Sequence, residues 1–360
     1  MGSSKTIRIL SLDGGGIRGY ISATFLQQFV QLWGINPAEI WKYFDVITGT
    51  SIGGIQALAY AYGLTPAQMQ QLFIDNGASI FDCALGGRAG WVTKGIVMTA
   101  GWPLSTFYPN TGLISTINSV LPTQTLQDMK TNVMITSYNQ DADVPVFFSN
   151  VTMPGFIGQN ELAANIALAT ASAPLYFPTA VFAPPSVYAG INFIDGGVQQ
   201  NNPAEIALTL GQMLNPTANR FCVLSVGTGL GEIGTPETIT QAQKHAELEK
   251  LKIVYPEHAR HIEHMKGQPN ILDNMQLLLK LIDVGITGCQ EAVNSNLKLQ
   301  SLYTLQNVYY YRFNYSLDST RDIELDNFDP SFFSYMQQSA SEQFEADMSN
   351  ITNFLGHLTA

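Results

Sequence analysis

Twice near its start the chain repeats one local pattern: a short apolar run, a glycine-rich corner, and then a run suited to a helix. Ile7-Arg8-Ile9-Leu10-Ser11-Leu12 leads into Asp13-Gly14-Gly15-Gly16-Ile17-Arg18-Gly19 and then Tyr20 to Trp33. Tyr43-Phe44-Asp45-Val46-Ile47-Thr48 leads into Gly49-Thr50-Ser51-Ile52-Gly53, with Ala57, Leu58, Ala59 and Ala61 following. The first member of each pair is aromatic, aliphatic or β-branched, as a buried strand requires. The second is rich in good helix formers. Further strands are expected near residues 131–137, 145–149, 191–195 and 221–226, and helices near 18–33, 52–62, 66–76, 112–120, 161–171 and 203–213. Asn160-Glu161 and Asn202-Pro203 read as helix starts. Such alternation builds an α/β fold of three layers, a mainly parallel central sheet with helices on both faces. Beyond it, Val308 to Tyr315 reads as a late strand. Extra C-terminal helices are expected from Asn270 onward and from Phe332 to Leu358. With no repeat, low-complexity block or linker, one domain over residues 1–360 is expected, its core about 7–230 and a mostly helical part 235–360 packed on it.

The two corners carry chemistry as well as topology. A serine at a strand-to-helix corner is held in a strained backbone conformation that exposes Oγ, and glycines two positions either side let strand and helix close. Ser51, between Gly49 and Gly53, has that placement, although the same five residues would also serve as a plain turn. Consecutive glycines at a helix N-terminus let backbone N–H groups converge on an anion, with the helix dipole adding positive potential. Gly14, Gly15 and Gly16 could therefore bind a phosphate or a tetrahedral oxyanion, and Arg18 adds a full charge. A Walker loop is excluded by the missing Gly-Lys-Ser/Thr. The dinucleotide pattern matches residues 14–19 literally, but Glu39, near the required spacing, does not close a strand.

Acyl transfer from Ser51 needs a base. All five histidines, His245, His258, His261, His264 and His357, lie late in the chain, four of them in one polar, helix-like stretch. A solvated face explains these four better than catalysis, and His258, His261 and His264, which step by three, drift around a helix and are poorly placed as metal ligands on one side. Asp195 is the better base: it ends the strand-like Ile191-Asn192-Phe193-Ile194 and is followed by Gly196-Gly197, an open turn that other segments can approach closely.

Together these segments resemble the patatin-like phospholipase family. The resemblance rests on Asp13–Gly19, Gly49–Gly53 and Asp195-Gly196-Gly197. It is supported by residues 43–47, Ala171-Ser172-Ala173-Pro174-Leu175-Tyr176-Phe177-Pro178, Asn201-Asn202-Pro203 and Leu224–Gly229, over about residues 7–230. It implies a patatin-like fold and a lipid acyl hydrolase of phospholipase A or lysophospholipase type. Ser51 would be the nucleophile and Asp195 the base and acid. The amides of Gly14, Gly15 and Gly16 would form the oxyanion hole, with Arg18 in the family's basic position. No metal or cofactor is implied. Two other readings stay open: an esterase with a Ser51–Asp195–His triad on an α/β-hydrolase fold, its imidazole from His245 or His258, and a non-catalytic lipid-binding or storage protein on the same scaffold.

The formal charge of −11 speaks against nucleic acid and against electrostatic attraction to anionic membrane. A phospholipid or other lipid ester would be met through apolar loops in transient contact with a membrane surface. Phe81 to Pro109, holding Leu85, Trp91, Ile96, Val97, Met98, Trp102, Leu104 and Phe107, is the stretch suited to a lid or acyl-chain contact, or else to core packing. Three widely spaced cysteines, Cys83, Cys222 and Cys289, suit free thiols. With no signal-like or transmembrane run, a cytoplasmic protein is expected. The start Met1-Gly2-Ser3-Ser4-Lys5-Thr6 also fits the loose myristoylation pattern.

Overall fold

The computed structural model describes residues 5–83, 85–90, 94, 106–231, 246, 249–250, 252–253, 256, 271–303 and 307–359, with 271–285 through their backbone alone. Among the described residues, eight strands share one sheet: β1 (Thr6–Leu12), β2 (Val46–Thr50), β3 (Asn132–Asn139), β4 (Val144–Ser149), β5 (Ala180–Val181), β6 (Asn192–Asp195), β7 (Arg220–Val226) and β8 (Val308–Phe313). The helices that matter below are α1 (Gly19–Trp33), α2 (Ile52–Tyr62), α3 (Pro66–Ile80), α4 (Thr111–Val120), α5 (Ala163–Ala171), α6 (Ala204–Leu214), α7 (Ile271–Tyr303), α8 (Pro330–Ala346) and α9 (Met348–Thr359).

Strands β3, β2, β1, β7 and β8 run parallel in that order. Alternation within each strand sorts the side chains between two layers. Ile7, Ile9, Val46, Phe221 and Val223 pack with Ala204 and Leu208 of α6 and Val293 and Leu297 of α7. Leu10, Leu12, Ile47, Leu224 and Val226 face the other way, toward a core with Phe25 and Phe29 of α1, Leu58 of α2, Ile166 of α5 and Met336 of α8. This is the expected three-layer α/β arrangement.

The sheet's far edge turns antiparallel, and that reversal builds the site. β2 pairs with β3 from Val46↔Asn132 to Thr50↔Thr136. β4 covers the opposite side of β3 from Met134 to Asn139. β6 pairs antiparallel with Ser137, Tyr138 and Asn139, so it must lie on the side of β3 that β2 occupies. Its last residue, Asp195, sits opposite Ser137, one step beyond the Thr50↔Thr136 pair. β2 and β6 therefore meet head-on along one flank of β3, with Ser51 and Asp195 at the junction.

Three local expectations need correction. The terminal helix is two, because the chain leaves helical geometry at Asp347 (φ −101°, ψ 12°), whose carboxylate accepts a 2.6 Å hydrogen bond from Tyr311 on β8. α5 starts at Ala163 rather than Asn160: Leu162 bridges to Thr125, and the Glu161 carboxylate takes the Leu162 amide. β2 starts at Val46 because residues 37–42 form a tight 3-10 turn and the Asp45 carboxylate binds the Arg8 amide at 2.8 Å. Of the apolar stretch 81–109, Phe107 is buried and Leu85 packs against the core, whereas Trp91, Ile96, Val97, Met98, Trp102 and Leu104 lie outside the described residues.

Candidate active site

Ser51 directly follows β2 and caps α2 with φ 55° and ψ −128°. A non-glycine residue in that region costs about 1–3 kcal/mol and persists only where its surroundings dictate it. Here the Ser51 amide donates to Thr170 Oγ1 at 2.8 Å, and its carbonyl accepts from the amides of Gly54 and Ile55. The flanking glycines are steric necessities. A Cβ on Gly49 would stand 2.0 Å from the Gly53 carbonyl oxygen, and one on Gly53 would stand 2.3 Å from that of Leu12.

Asp195 ends β6 and is buried. Its amide donates to the Ser172 carbonyl at 3.0 Å, which ties it to the segment after α5. Its carboxylate accepts the Gly197 amide at 2.7 Å, and the Ser51 side chain is near enough to act on its titration. Burial pushes its pKa from 3.8 up to about 7, and the neighbouring Ser51 side chain and Gly197 amide oppose that rise without cancelling it. Thr50 Oγ1 donates to the Gln200 carbonyl and lies 2.7 Å from Thr136 Oγ1, joining the end of β2 to the turn after Asp195.

The glycine turn lies against the serine corner: a Cβ on Gly14 would be 3.1 Å from that of Ser51. Its stem is fixed on every side. The Asp13 amide donates to Val226, and the Gly14 carbonyl accepts from Thr228 Oγ1 at 2.9 Å. Arg312 of β8 grips the fully buried Asp13 carboxylate at 2.7 and 3.3 Å and also donates to Ser225 Oγ at 2.8 Å. The sequence expectation of three converging amides needs revision. The Gly14 amide donates to the Asn201 carbonyl at 3.2 Å, whereas those of Gly15 and Gly16 donate to no group among the described residues. Gly16 has φ 55°, and a Cβ there would meet the Leu325 carbonyl oxygen at 2.4 Å. Arg18 is half-buried and near enough to Tyr176 to act on its phenol electrostatically.

His357 is remote from this junction. It stacks on Tyr309 and contacts Arg220 at the opening end of β7, where β7 pairs with the start of β1. Ser51 lies beyond the other end of that seven-residue strand, about 20 Å away at ~3.3 Å per residue. His245, His258, His261 and His264 lie outside the described residues. Nothing in the sequence alone singles out Thr170, Arg312 or Leu325. Each works through long-range bonds, and none sits in a recognisable local pattern.

The family model described as patatin-like phospholipase matches residues 10–208. A cGAMP-activated phospholipase of Vibrio cholerae is 35% identical over 208 residues, covering 56% of this chain and 57% of that protein. Patatin-like protein 1 of Oryza sativa subsp. indica is 29% identical over 255 residues, covering 62% and 59% respectively. The aligned stretch thus spans little more than half the length of these relatives. Among solved structures, VipD from Legionella pneumophila aligns with a TM-score of 0.42 at 14% identity, covering 98% of this chain and 67% of that one.

Proposed function

The chain belongs to the patatin-like phospholipase family, and from that premise and the site geometry we propose that it is a lipid acyl hydrolase working through a Ser51–Asp195 dyad. The observation that carries this reading is the meeting of β2 and β6 on one flank of β3, which sets Ser51 beside a buried carboxylate whose pKa stands near neutrality. A free aspartate, with pKa about 3.9, is a weak base. One raised to about 7 holds a transferred proton far better while remaining ionised in half the molecules at neutral pH.

Ionised Asp195 takes the Ser51 proton as Oγ attacks the ester carbonyl carbon. The Gly15 and Gly16 amides receive the oxyanion, a contribution of about 10²–10³ in rate for each such donor. As the tetrahedral intermediate collapses, Asp195 returns the proton to the departing alcohol, leaving an acyl-Ser51. Water, deprotonated by Asp195, then releases the fatty acid and regenerates the dyad. The positive-φ corner favours this role because it holds Oγ clear of the α2 backbone. The substrate would be a phospholipid or another lipid ester. Val198, next to the Asp195-Gly196-Gly197 turn, is 46% exposed and supplies apolar surface for contact with an aggregated lipid.

The test is hydrolysis of a panel of phospholipids, lysophospholipids and short esters by wild type, Ser51→Ala and Asp195→Asn. It is run with and without cGAMP, because a relative is named for activation by that nucleotide. Wild type should release fatty acid and both variants should lose more than about 10³-fold in rate. Retained hydrolysis in either variant rejects the dyad. A wild type that binds lipid, hydrolyses nothing and leaves a fluorophosphonate unreacted at Ser51 would establish the storage reading instead.

A further inference from the structure

Leu325 is the hinge between the glycine turn and a buried ionic cluster that the proposed chemistry does not use. Its carbonyl accepts the Ile17 amide at 2.8 Å and stands over Gly16, so the direction of the Gly15 and Gly16 amides depends on where Leu325 sits. Leu325 is flanked by Glu324 and Asp326, and Asp322 lies three residues earlier. Three carboxylates in five residues, two of them buried, repel one another and favour departure toward water. What holds them is supplied from far away in the chain. Lys94 Nζ lies 2.7 Å from both Glu324 and Asp326 and is itself 3% exposed. Arg88 donates to Asp326 at 2.9 Å and also pairs with Asp322 and Glu324. Tyr108 donates to Asp326 at 2.6 Å while accepting the Ala89 amide at 3.0 Å.

We propose that Lys94 and Arg88 are positioning residues for the oxyanion hole, acting through Glu324, Asp326 and Leu325 on the Gly15 and Gly16 amides. The inference rests on the dyad reading and deepens it. It also gives residues 322–327, beyond the 10–208 family match, a place in the reaction. Neutralising Lys94 leaves Glu324 and Asp326 facing each other with one cation fewer. The segment relaxes outward, Leu325 releases Ile17, and the two amides lose their aim. Because the oxyanion forms only as the ester is attacked, the loss falls on turnover rather than on substrate binding.

The test measures hydrolysis of a short soluble aryl ester by wild type, Lys94→Met, Lys94→Arg and Tyr108→Phe. Active sites are counted by the endpoint of fluorophosphonate labelling at Ser51, so that unfolded protein does not contribute. Lys94→Met should lower kcat per labelled site by about 30-fold, with KM within about threefold, and slow phosphonylation in proportion. Lys94→Arg should recover to within about threefold of wild type, since the charge is kept. Should Lys94→Met fail to fold, Tyr108→Phe carries the test, because it removes one hydroxyl from Asp326 and should cost about fivefold in kcat per site. Turnover per labelled site equal to wild type in the folded variants, or a loss confined to KM, overturns the positioning role. A wild type that neither hydrolyses nor labels, with or without cGAMP, overturns the dyad reading and this inference with it.

Discussion

Asp195→Asn should kill hydrolysis and at the same time make the protein more stable at alkaline pH. The folded state holds the Asp195 proton with a pKa of about 7, against 3.8 for the unperturbed group. Between those values the native state binds more protons than the unfolded chain. Stability is therefore lost as pH rises from about 4 to about 7. The difference of roughly three units, at 1.36 kcal/mol each, makes the ionised carboxylate cost about 4 kcal/mol of folding free energy above pH 7. An amide at this position keeps a carbonyl for the Gly197 amide and carries no charge. The variant should gain about 4 kcal/mol over wild type at pH 8, shrinking to about 0.5 kcal/mol at pH 4. Urea denaturation at the two pH values measures this. In the wild type, kcat/KM for a soluble ester should fall about tenfold per pH unit below 7, following the ionised fraction of Asp195. Equal denaturation midpoints for wild type and variant at pH 8, or a flat rate profile between pH 5.5 and 8, would refute the assignment of Asp195 as a strained buried base.

The remaining predictions touch the loop, its stem and the histidines. Gly16→Ala, which must place a Cβ 2.4 Å from the Leu325 oxygen at positive φ, should reduce kcat by about 100-fold, read on the short ester. Arg312→Met leaves Asp13 buried without its partner and should destabilise the fold by about 3–5 kcal/mol in urea titrations, with Asp13→Asn in the same chain recovering part of the loss. Alanine at His245, His258, His261, His264 or His357 should each leave kcat/KM within about twofold of wild type, and a large loss at any one of them would revive the triad.

Much of the candidate site is legible in the chain because its signals are local. A serine flanked by glycines between a strand and a helix points to the positive-φ corner that the structure contains, and burial then sets its backbone bonds to Thr170, Gly54 and Ile55. Asp195 could be read as the end of a strand before two glycines. Its closeness to Ser51 could not, because that depends on β6 running against β3 in the register vacated by β2. The terminal helix reads as continuous because its composition is helical throughout, and nothing local announces that Tyr311 will capture Asp347.

Side-chain periodicity and turn chemistry, properties of a few neighbouring residues, therefore determined the layers, the two corners and the identities of hydroxyl and carboxylate. Tertiary structure alone decided which amides stay unengaged. Gly14 looks equivalent to its neighbours until Asn201, 187 positions away, accepts its N–H. It also decided what fixes the loop: Arg312 beneath Asp13 and Leu325 against Gly16, each brought in by strand order and by the pairing of buried charge. Such partners are selected by free energies of packing and desolvation that have no counterpart in sequence spacing.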